Sequence, residues 1–262
     1  METQIIIRRI VVALAALLPV AAQAAPAQEG ASAPAAVVEL FTSQGCNSCP
    51  PADRLFSEYA QRKDVVALAY HVGYWDYLGW RDMFATEENT ARQKDYMRSF
   101  KASSVYTPQA VVNGRVHVNG ADRGALDGAI AANEAGAERL SVPIKVNGSG
   151  DSVIIEAGGV DPAKFGAGRE AHLLLVHFEQ PRTVTIDRGE NEGQNLTYWN
   201  AVTNIQTAGM WHGQPVRYEL PRKVMGKKGG CAVLLQEVDK DGLPGAILGA
   251  VVVRNHDSPT AP

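Results

Sequence analysis

Residues 42–51 read TSQGCNSCPP and contain two of the three cysteines of the chain, Cys46 and Cys49. The residues before this stretch, 37–41, are mostly apolar, as in a buried strand. The residues after it, 52–62, place apolar side chains at the i, i+3, i+4 and i+7 spacing of a helix. The two cysteines therefore lie at a strand-to-helix junction, and we expect the rest of the fold to be arranged around it.

Outward from this junction, the first half of the chain is predicted to run strand, helix, strand, helix, strand, strand, helix. The apolar run 65–70 predicts a buried parallel strand. A second helix is predicted over 86–101, with a threonine at its start that is suited to cap it. The pair Asn113-Gly114 favours a tight hairpin turn. A last helix is expected over 122–138.

Beyond residue 140 the hydrophobic pattern changes to alternation. Short apolar or alternating runs are separated by glycine-containing turns, with no helical pattern among them. About eight such strands predict a β-sandwich-like domain. The fold class expected for the whole chain is therefore α/β plus all-β, with one domain over 36–140 and a second over 141–256.

The two ends of the chain have compositions unlike the rest. Residues 1–24 combine a charged start, a short apolar run and small residues near the end, which is typical of a secretory signal peptide. Residues 25–35 are predicted to be a flexible lead-in, and 257–262 a tail. We therefore expect a protein exported to the periplasm or secreted, not held in a membrane once the signal is cleaved. Such compartments are oxidising.

Composition and motifs narrow the function classes. The formal net charge is −3 and no block of basic residues occurs, which argues against nucleic-acid binding. The sequence lacks the nucleophile motif of hydrolases, the glycine-rich phosphate loop and the zinc-protease helix motif. No cofactor is implied.

The predicted element order, with C-x-x-C after the first strand and Thr107-Pro108 before the third, resembles the thioredoxin fold. In that fold a proline of cis geometry faces the two cysteines. The longer motifs resemble a family of secreted, thioredoxin-like bacterial proteins catalogued as domain of unknown function 1223. The stretches that carry this resemblance are 38–46, 49–53, 71–80, 107–109 and 188–196.

The resemblance implies a redox role for the cysteine pair. Cys46 would attack a substrate disulfide, and Cys49 would resolve the mixed disulfide and leave a Cys46–Cys49 bond. Thr107 and Pro108 would dock the extended backbone of the partner. The expected partner is a protein that carries a thiol or a disulfide, or a small thiol.

Two features depart from the thioredoxin pattern. Thioredoxins usually carry tryptophan before the first cysteine, where this chain has Gly45. A proline also disfavours helical backbone in the residue before it, so Pro50 and Pro51 act on Cys49 and Pro50. We expect the helix to begin at Pro50 or Pro51, with the cysteines in the preceding loop. The alternative of a non-catalytic binding module with a structural disulfide therefore stays open.

A metal-binding or carrier function is a further alternative. Cys46, Cys49 and His71 together offer two thiolates and an imidazole, which suit copper(I) or zinc. The sequence contains no second C-x-x-C and no H-x-x-x-H that would complete a structural zinc site. The metal hypothesis therefore depends on whether these three side chains converge.

An aromatic loop follows the second predicted strand, at 71–82. Trp75, Tyr77 and Trp80 either cover the end of the sheet as a small core or form a wall of the cleft beside Cys46. In the second interpretation Trp75 and Asp76 contact substrate, with Asp76 as a proton acceptor or as a ligand for the partner's amide.

Two further features of the sequence lie in the second half of the chain. The polar, glycine-containing stretch 188–193 is either a hairpin turn or a loop at a domain interface or ligand site. Cys231 begins an apolar run and is expected to be a small buried hydrophobic residue.

Overall fold

The secondary structure changes character near residue 140. In the computed structural model, which describes residues 33–136, 140–161, 169–226 and 228–254, helices alternate with strands before this point and only strands and short 3-10 turns follow it. No helix in these ranges is long and apolar enough to cross a membrane. The predicted signal peptide, most of the lead-in, the end of the third predicted helix and the tail lie outside the described residues.

The first half contains the seven elements that the sequence pattern predicts, in the predicted order. Thr86 caps the second helix as expected, because its side chain accepts a hydrogen bond from the Asn89 amide. Asn113 and Gly114 both have positive φ, as the predicted hairpin turn requires. The elements are β1 (Ala36–Thr42), α1 (Pro50–Gln61), β2 (Val65–His71), α2 (Glu87–Ser99), β3 (Gln109–Val112), β4 (Val116–Asn119) and α3 (Arg123–Ala135).

These strands form one sheet with the order β2-β1-β3-β4. β1 and β2 are parallel, whereas β3 is antiparallel to β1 and β4 to β3. Alternation along β1 divides its side chains between two cores: Val38 and Leu40 pack with α1 and α3, while Val37 and Phe41 pack on the opposite face. Both faces of the sheet are therefore covered.

The second half contains nine strands within the described residues, one more than the approximate number expected. They form a four-stranded sheet with the order β10-β7-β12-β13, a three-stranded sheet with the order β11-β6-β5, and the hairpin β8-β9. The strands are β5 (Ile144–Ser149), β6 (Ser152–Ala157), β7 (Glu170–Phe178), β8 (Arg182–Thr185), β9 (Asn195–Tyr198), β10 (Val202–Trp211), β11 (Val216–Pro221), β12 (Gly230–Val238) and β13 (Pro244–Arg254).

The four-stranded sheet packs against both the three-stranded sheet and the first half of the chain. Leu173 and Leu175 on β7 share a core with Ile155 of the three-stranded sheet. Leu174 and Val176, on the other face of β7, share a core with side chains of β1 and β2. The described part of the chain from Ala33 onward accordingly forms one compact unit. The division into domains near residue 140 stays a prediction.

A buried polar network crosses the contact between the two halves. Glu39 of β1 is fully buried, and its carboxylate accepts hydrogen bonds from Arg92 at 2.8 Å and from Tyr96, both on α2. Arg92 also donates to Gln236 of β12 at 2.8 Å, and Gln236 donates to Tyr96 at 2.7 Å. Each member of this network thus has a partner, which a buried charge requires.

The network predicts an asymmetric response to substitution. Arg92→Met leaves the Glu39 carboxylate buried without its cation, and should lower the free energy of unfolding by about 3–5 kcal/mol. The double variant Glu39→Leu with Arg92→Met removes both charges and should cost clearly less. Urea unfolding of both variants measures the difference. A double variant less stable than Arg92→Met would contradict this account.

Candidate functional site at the Cys46–Cys49 disulfide

Cys46 and Cys49 form a disulfide at the start of α1, with their Cα atoms 5.4 Å apart. The helix begins at Pro50, as expected, and Cys49 is its N-cap. The expectation for the backbone of Cys49 was wrong, since this residue has helical angles in spite of the following proline. Its carbonyl accepts hydrogen bonds from the amides of Ala52 and Asp53. The two prolines lose nothing by lacking an N–H, because the first helical residues have no intrahelical partner for it.

The disulfide is covered. Cys46 is 1% exposed and Cys49 is fully buried, while Asn47 and Ser48 between them are exposed. The Cys46 Sγ atom receives a hydrogen bond from the hydroxyl of Thr107 at 3.2 Å and lies 3.3 Å from the hydroxyl of Ser48. Ser48 also donates to the Thr107 carbonyl at 3.3 Å. The segment before β3 therefore contacts the cysteine loop directly.

The peptide bond between Thr107 and Pro108 is cis, as the resemblance implies. The Pro108 carbonyl accepts a hydrogen bond from the Gly120 amide, which ties this segment to the end of β4. A Cβ on Gly120 would lie 2.6 Å from a methyl carbon of Leu40, so the close packing here requires glycine. Thr107 and Pro108 are thus held at the sheet edge beside Cys46.

One tryptophan of the aromatic loop lies near the disulfide, and another packs in a separate small core. Trp75 is partly exposed, and its indole N–H donates to the Thr107 hydroxyl at 2.8 Å. A Cβ on Gly45 would lie 3.1 to 3.2 Å from Trp75 atoms, so Trp75 occupies the space beside this glycine. Trp80 instead donates to the Gln44 side chain and packs with the β8-β9 hairpin. Trp80 therefore belongs to a small core, as the first interpretation expects, and Trp75 lies beside the cysteine loop, while its contact with substrate stays a prediction.

Two other residues of the loop make described contacts within the loop itself. The Asp76 carboxylate accepts a hydrogen bond from the Asp82 amide at 3.2 Å, and so stabilises the loop itself. Tyr77 is 76% exposed, with its ring stacked on that of Trp75. The substrate-contact role of Asp76 stays a prediction.

The Asp82 side chain links the aromatic loop to the cysteine loop by a hydrogen bond. Its fully buried carboxylate accepts hydrogen bonds from the Gln44 amide at 2.8 Å, from the Phe84 amide at 2.8 Å and from His71 Nδ1 at 2.7 Å. His71 ends β2 and packs edge-on against Phe84 and Tyr198. His71 was expected near the sulfurs, but its described hydrogen bond is to Asp82.

A second buried carboxyl, Asp53, lies on α1 one helical turn after Cys49. Its Oδ1 atom accepts a hydrogen bond from the Thr42 hydroxyl at 2.8 Å. Its Oδ2 atom and the Nε2 atom of His71 have no hydrogen-bond partner among the described residues, although both atoms are buried. Sequence reasoning did not identify Asp53, although it falls within the 49–53 motif.

Burial and neighbouring charges shift the pKa values of Asp53 and His71. Burial raises the pKa of Asp53 to about 7, and the opposing effects of His71 and of the Thr42 hydrogen bond do not cancel this. Burial alone would lower the pKa of His71, but Asp82 and Asp53 together raise it above its ordinary value. Neutral pH therefore lies close to the protonation equilibrium of Asp53.

The three ligands of the metal hypothesis do not converge as a site. In the disulfide-bonded state, no group of three or more His, Cys, Asp or Glu side chains among the described residues is arranged to hold a metal ion. The arrangement described here therefore offers no support for a site made of Cys46, Cys49 and His71.

The second half of the chain reaches the cysteine loop through Asn191. This residue lies in the turn between β8 and β9 and is 2% exposed. Its side-chain amide donates to the carbonyls of Gln44 and Cys46, both at 2.9 Å, and its own oxygen accepts from Gln194. Gly189, with φ of +83°, brings the same turn against Trp80. The sequence contained this signal as the 188–193 stretch, for which an interface loop was one of the two interpretations.

Cys231 lies on β12 far along the chain from the disulfide. It is fully buried, as expected, and burial raises the pKa of its thiol to about 12. A thiol that stays protonated at neutral pH is a poor nucleophile. Cys231 therefore does not interfere with experiments on the other two cysteines.

Asn191→Ala should make the disulfide easier to reduce in the folded protein. The loss of two hydrogen bonds frees the backbone on both sides of Gly45, so the loop opens more often. Reduction by dithiothreitol should accelerate by up to roughly thirtyfold, since two bonds of about 1 kcal/mol each total about 2 kcal/mol and about 1.4 kcal/mol is a factor of ten. Asn195→Ala, an exposed position of the same hairpin, is the control. Equal rates in both variants would show that the Asn191 bonds do not restrain the loop.

Asp53→Asn should change the pH dependence of stability. Because the folded-state pKa is raised, wild-type Asp53 costs stability as pH rises from about 4 to about 7. The gap between a pKa of about 7 and the ordinary 3.8 corresponds to about 4 kcal/mol. The advantage of Asp53→Asn over wild type should therefore grow over that range and then level off.

Denaturant unfolding at several pH values measures this advantage. Asp64→Asn is the matched control, because the hydrogen bond from Arg62 holds the pKa of exposed Asp64 below its ordinary value. No growing advantage is expected for that variant. An advantage of Asp53→Asn that is constant from pH 4 to 7 would mean that Asp53 ionises normally in the fold.

The sequence of this chain matches a family model, and its fold is similar to two solved structures. A family model described as "Protein of unknown function (DUF1223)" matches residues 37–236. The chain is similar to a crystal structure of a protein from Agrobacterium tumefaciens, with 42% identity over 90% of this chain and 100% of that chain, and a TM-score of 0.77. HBP35 of Porphyromonas gingivalis shares the fold at 13% identity, over 89% of this chain and 79% of that one, with a TM-score of 0.56. No curated protein matches. The chain belongs to the family of proteins of unknown function designated DUF1223.

Proposed function

We propose that this protein is an exported, thioredoxin-like protein that performs thiol–disulfide exchange through Cys46 and Cys49. The observation that carries the proposal is the hydrogen bond of 3.2 Å from the Thr107 hydroxyl to the Cys46 sulfur, at the start of α1. A sulfur with a hydrogen-bond donor directed at it and a helix N-terminus behind it is in surroundings that favour a thiolate. Thiolates are the reactive species in disulfide exchange.

The thioredoxin-like part of the proposal is supported by the topology. A parallel β1-β2 pair, an antiparallel β3-β4 pair and the order β2-β1-β3-β4 agree with the order βαβ followed by αββα that the resemblance implies. The cysteine pair lies between β1 and α1, and Thr107-Pro108 immediately precedes β3. These are the positions that the active-site residues of a thioredoxin-like protein would occupy.

The chemistry proceeds by two exchanges. The Cys46 thiolate attacks one sulfur of a substrate disulfide, so a bond from Cys46 to the substrate forms while the substrate S–S bond breaks and its other sulfur leaves as a thiolate that takes up a proton. Cys49, after losing its proton, attacks the Cys46 sulfur, forms the Cys46–Cys49 bond and releases the second substrate thiolate. Two electrons pass from protein to substrate, and the reverse sequence oxidises a dithiol.

Asp53 is suited to receive the proton of Cys49. Residues four apart on a helix are neighbours, and these two stand four apart at the start of α1. A proton acceptor functions best when its pKa is near the working pH, and burial raises the pKa of Asp53 to about 7. Its buried Oδ2 atom, which has no hydrogen-bond partner among the described residues, is the available acceptor.

Exchange requires the segments that cover Cys46 to move apart, because Cys46 is 1% exposed. Thr107 contacts the Cys46 sulfur, Trp75 contacts Thr107, and the exposed Tyr77 ring stacks on Trp75 and extends this aromatic surface. We assign this surface to the docking of a partner that carries a thiol or a disulfide, or of a small thiol. Export is proposed on the signal-peptide pattern of residues 1–24.

The burial of both cysteines also favours a second candidate function. In that alternative the disulfide is structural, and the protein is a non-catalytic binding module that uses the aromatic surface. The two candidates differ in whether the folded protein exchanges its disulfide with other thiols.

A trapping experiment tests the proposal. Cys49→Ala leaves Cys46 without its resolving partner, so mixed disulfides should accumulate on Cys46 in cell envelopes and separate as larger species on non-reducing gels. The double variant Cys46→Ala with Cys49→Ala is the control, with Cys231 as its one remaining cysteine. Equal adducts in both variants, or none in either, would rule out exchange through Cys46 and leave the structural disulfide.

A further inference from the structure

We infer that Trp75 and Thr107 form a directional hydrogen-bond relay that ends on the Cys46 sulfur and stabilises the Cys46 thiolate once the disulfide is reduced. The inference rests on the proposed function and deepens it by assigning Trp75 as a positioning residue of the exchange site. Both links are short, at 2.8 Å from the Trp75 indole to the Thr107 hydroxyl and 3.2 Å from that hydroxyl to the sulfur.

The direction of the relay follows from the donor and acceptor chemistry. The indole N–H of tryptophan is a donor only, so the Thr107 oxygen accepts this bond. A hydroxyl has one hydrogen of its own to donate, and that hydrogen is then directed to the Cys46 sulfur. A hydroxyl that accepts one bond becomes a stronger donor in the next, because bonds in a chain polarise one another. The relay therefore directs the partially positive hydrogen of the Thr107 hydroxyl at the sulfur.

The relay distinguishes the two cysteines. The Cys46 sulfur accepts a hydrogen bond from the Thr107 hydroxyl and lies near the Ser48 hydroxyl. No described side-chain hydrogen bond reaches the sulfur of Cys49. The N-terminus of α1 acts on both residues, since Cys49 caps the helix and is bridged to Cys46. The relay is therefore the feature that assigns the stable thiolate, and with it the attacking role, to Cys46.

The same geometry accounts for the departure at Gly45. A tryptophan before the first cysteine is replaced here by glycine, and Trp75 approaches that position from the loop after β2. A side chain on Gly45 would meet Trp75 backbone and Cβ atoms at 3.1 to 3.2 Å, so these atoms would have to shift by a few tenths of an ångström. Gly45 thus permits the close approach on which the first link of the relay depends.

Other ionisable groups surround the pair and are held constant in the test. Cys49 and Asp53 lie on the α1 side, Asp82 with its partner His71 binds the Gln44 amide of the cysteine loop, and the buried Tyr74 hydroxyl lies close to Thr107 and Trp75. Every one of these groups is present in wild type and in the variants described next, apart from Cys49, which is replaced throughout. Differences between variants therefore report the relay.

The test measures the pH at which the Cys46 thiol ionises, by the ultraviolet absorbance of its thiolate, in a reduced Cys49→Ala background. Thr107→Val keeps the shape of the side chain and removes the hydroxyl, and should raise the midpoint by about one pH unit. Trp75→Phe keeps an aromatic ring and removes the N–H, and should raise the midpoint by less. Thr107→Ser retains the hydroxyl and should keep the wild-type midpoint.

The double variant Thr107→Val with Trp75→Phe decides whether the two residues act in series. A relay predicts the midpoint of Thr107→Val alone, because Trp75 acts only through the hydroxyl. Additive shifts, or an unchanged midpoint in Thr107→Val, would overturn the inference. If Trp75→Phe does not fold, equal midpoints in Thr107→Val and Thr107→Ser would still overturn the inference, because the relay acts through the Thr107 hydroxyl.

The inference and the proposed function fail separately. The ionisation midpoint is measured on the isolated protein and needs no partner, so the relay stands or falls without any exchange reaction. Absence of trapped adducts on Cys46 together with a shifted midpoint in Thr107→Val would refute the exchange function and leave the relay intact.

Discussion

The parallel pairing of β1 with β2 is the constraint on which the site depends. The two strands are in register from Ala36 opposite Val65 to Thr42 opposite His71, so both end at the same edge of the sheet. The loops that follow them, the cysteine loop and the aromatic loop, must therefore meet. β3 runs the other way along β1, which brings Thr107 in front of the same edge. Three segments distant in sequence converge because of this strand order.

Contacts from the second half of the chain complete the surroundings of the cysteine loop and of the first sheet. Asn191 binds the carbonyls on both sides of Gly45, and the β8-β9 hairpin closes the small core around Trp80. The four-stranded sheet buries the opposite face of the first sheet, where Gln236 of β12 accepts a hydrogen bond from Arg92, the partner of Glu39. The cysteine loop is thus held by contacts from both halves, which explains how its two cysteines stay buried.

Local features were predictable from the sequence, and long-range ones were not. The strand-to-helix junction at Cys46, the Thr86 cap and the Asn113-Gly114 turn follow from rules that act over a few residues. The bond from Asn191 to Gln44 spans 147 residues, and no periodicity encodes such a contact. The pairing of the strands after residue 140 could not be predicted either. An alternating pattern shows which face of a sheet a side chain occupies, but not which strands are neighbours.

The chemistry of the site was predictable only in part, for the same reason. The cysteine spacing indicated the disulfide, but the environment that sets its reactivity comes from side chains gathered by the fold: the Trp75 indole, the Asp53 carboxyl and the Asp82 anchor. The central claim is that the folded protein exchanges this disulfide, and the reduction potential tests it most directly. Titration of the folded protein against dithiothreitol buffers should give reversible reduction at a potential above about −300 mV, the region below which structural disulfides are usually found. Reduction only at lower potentials, or only on unfolding, would contradict the claim.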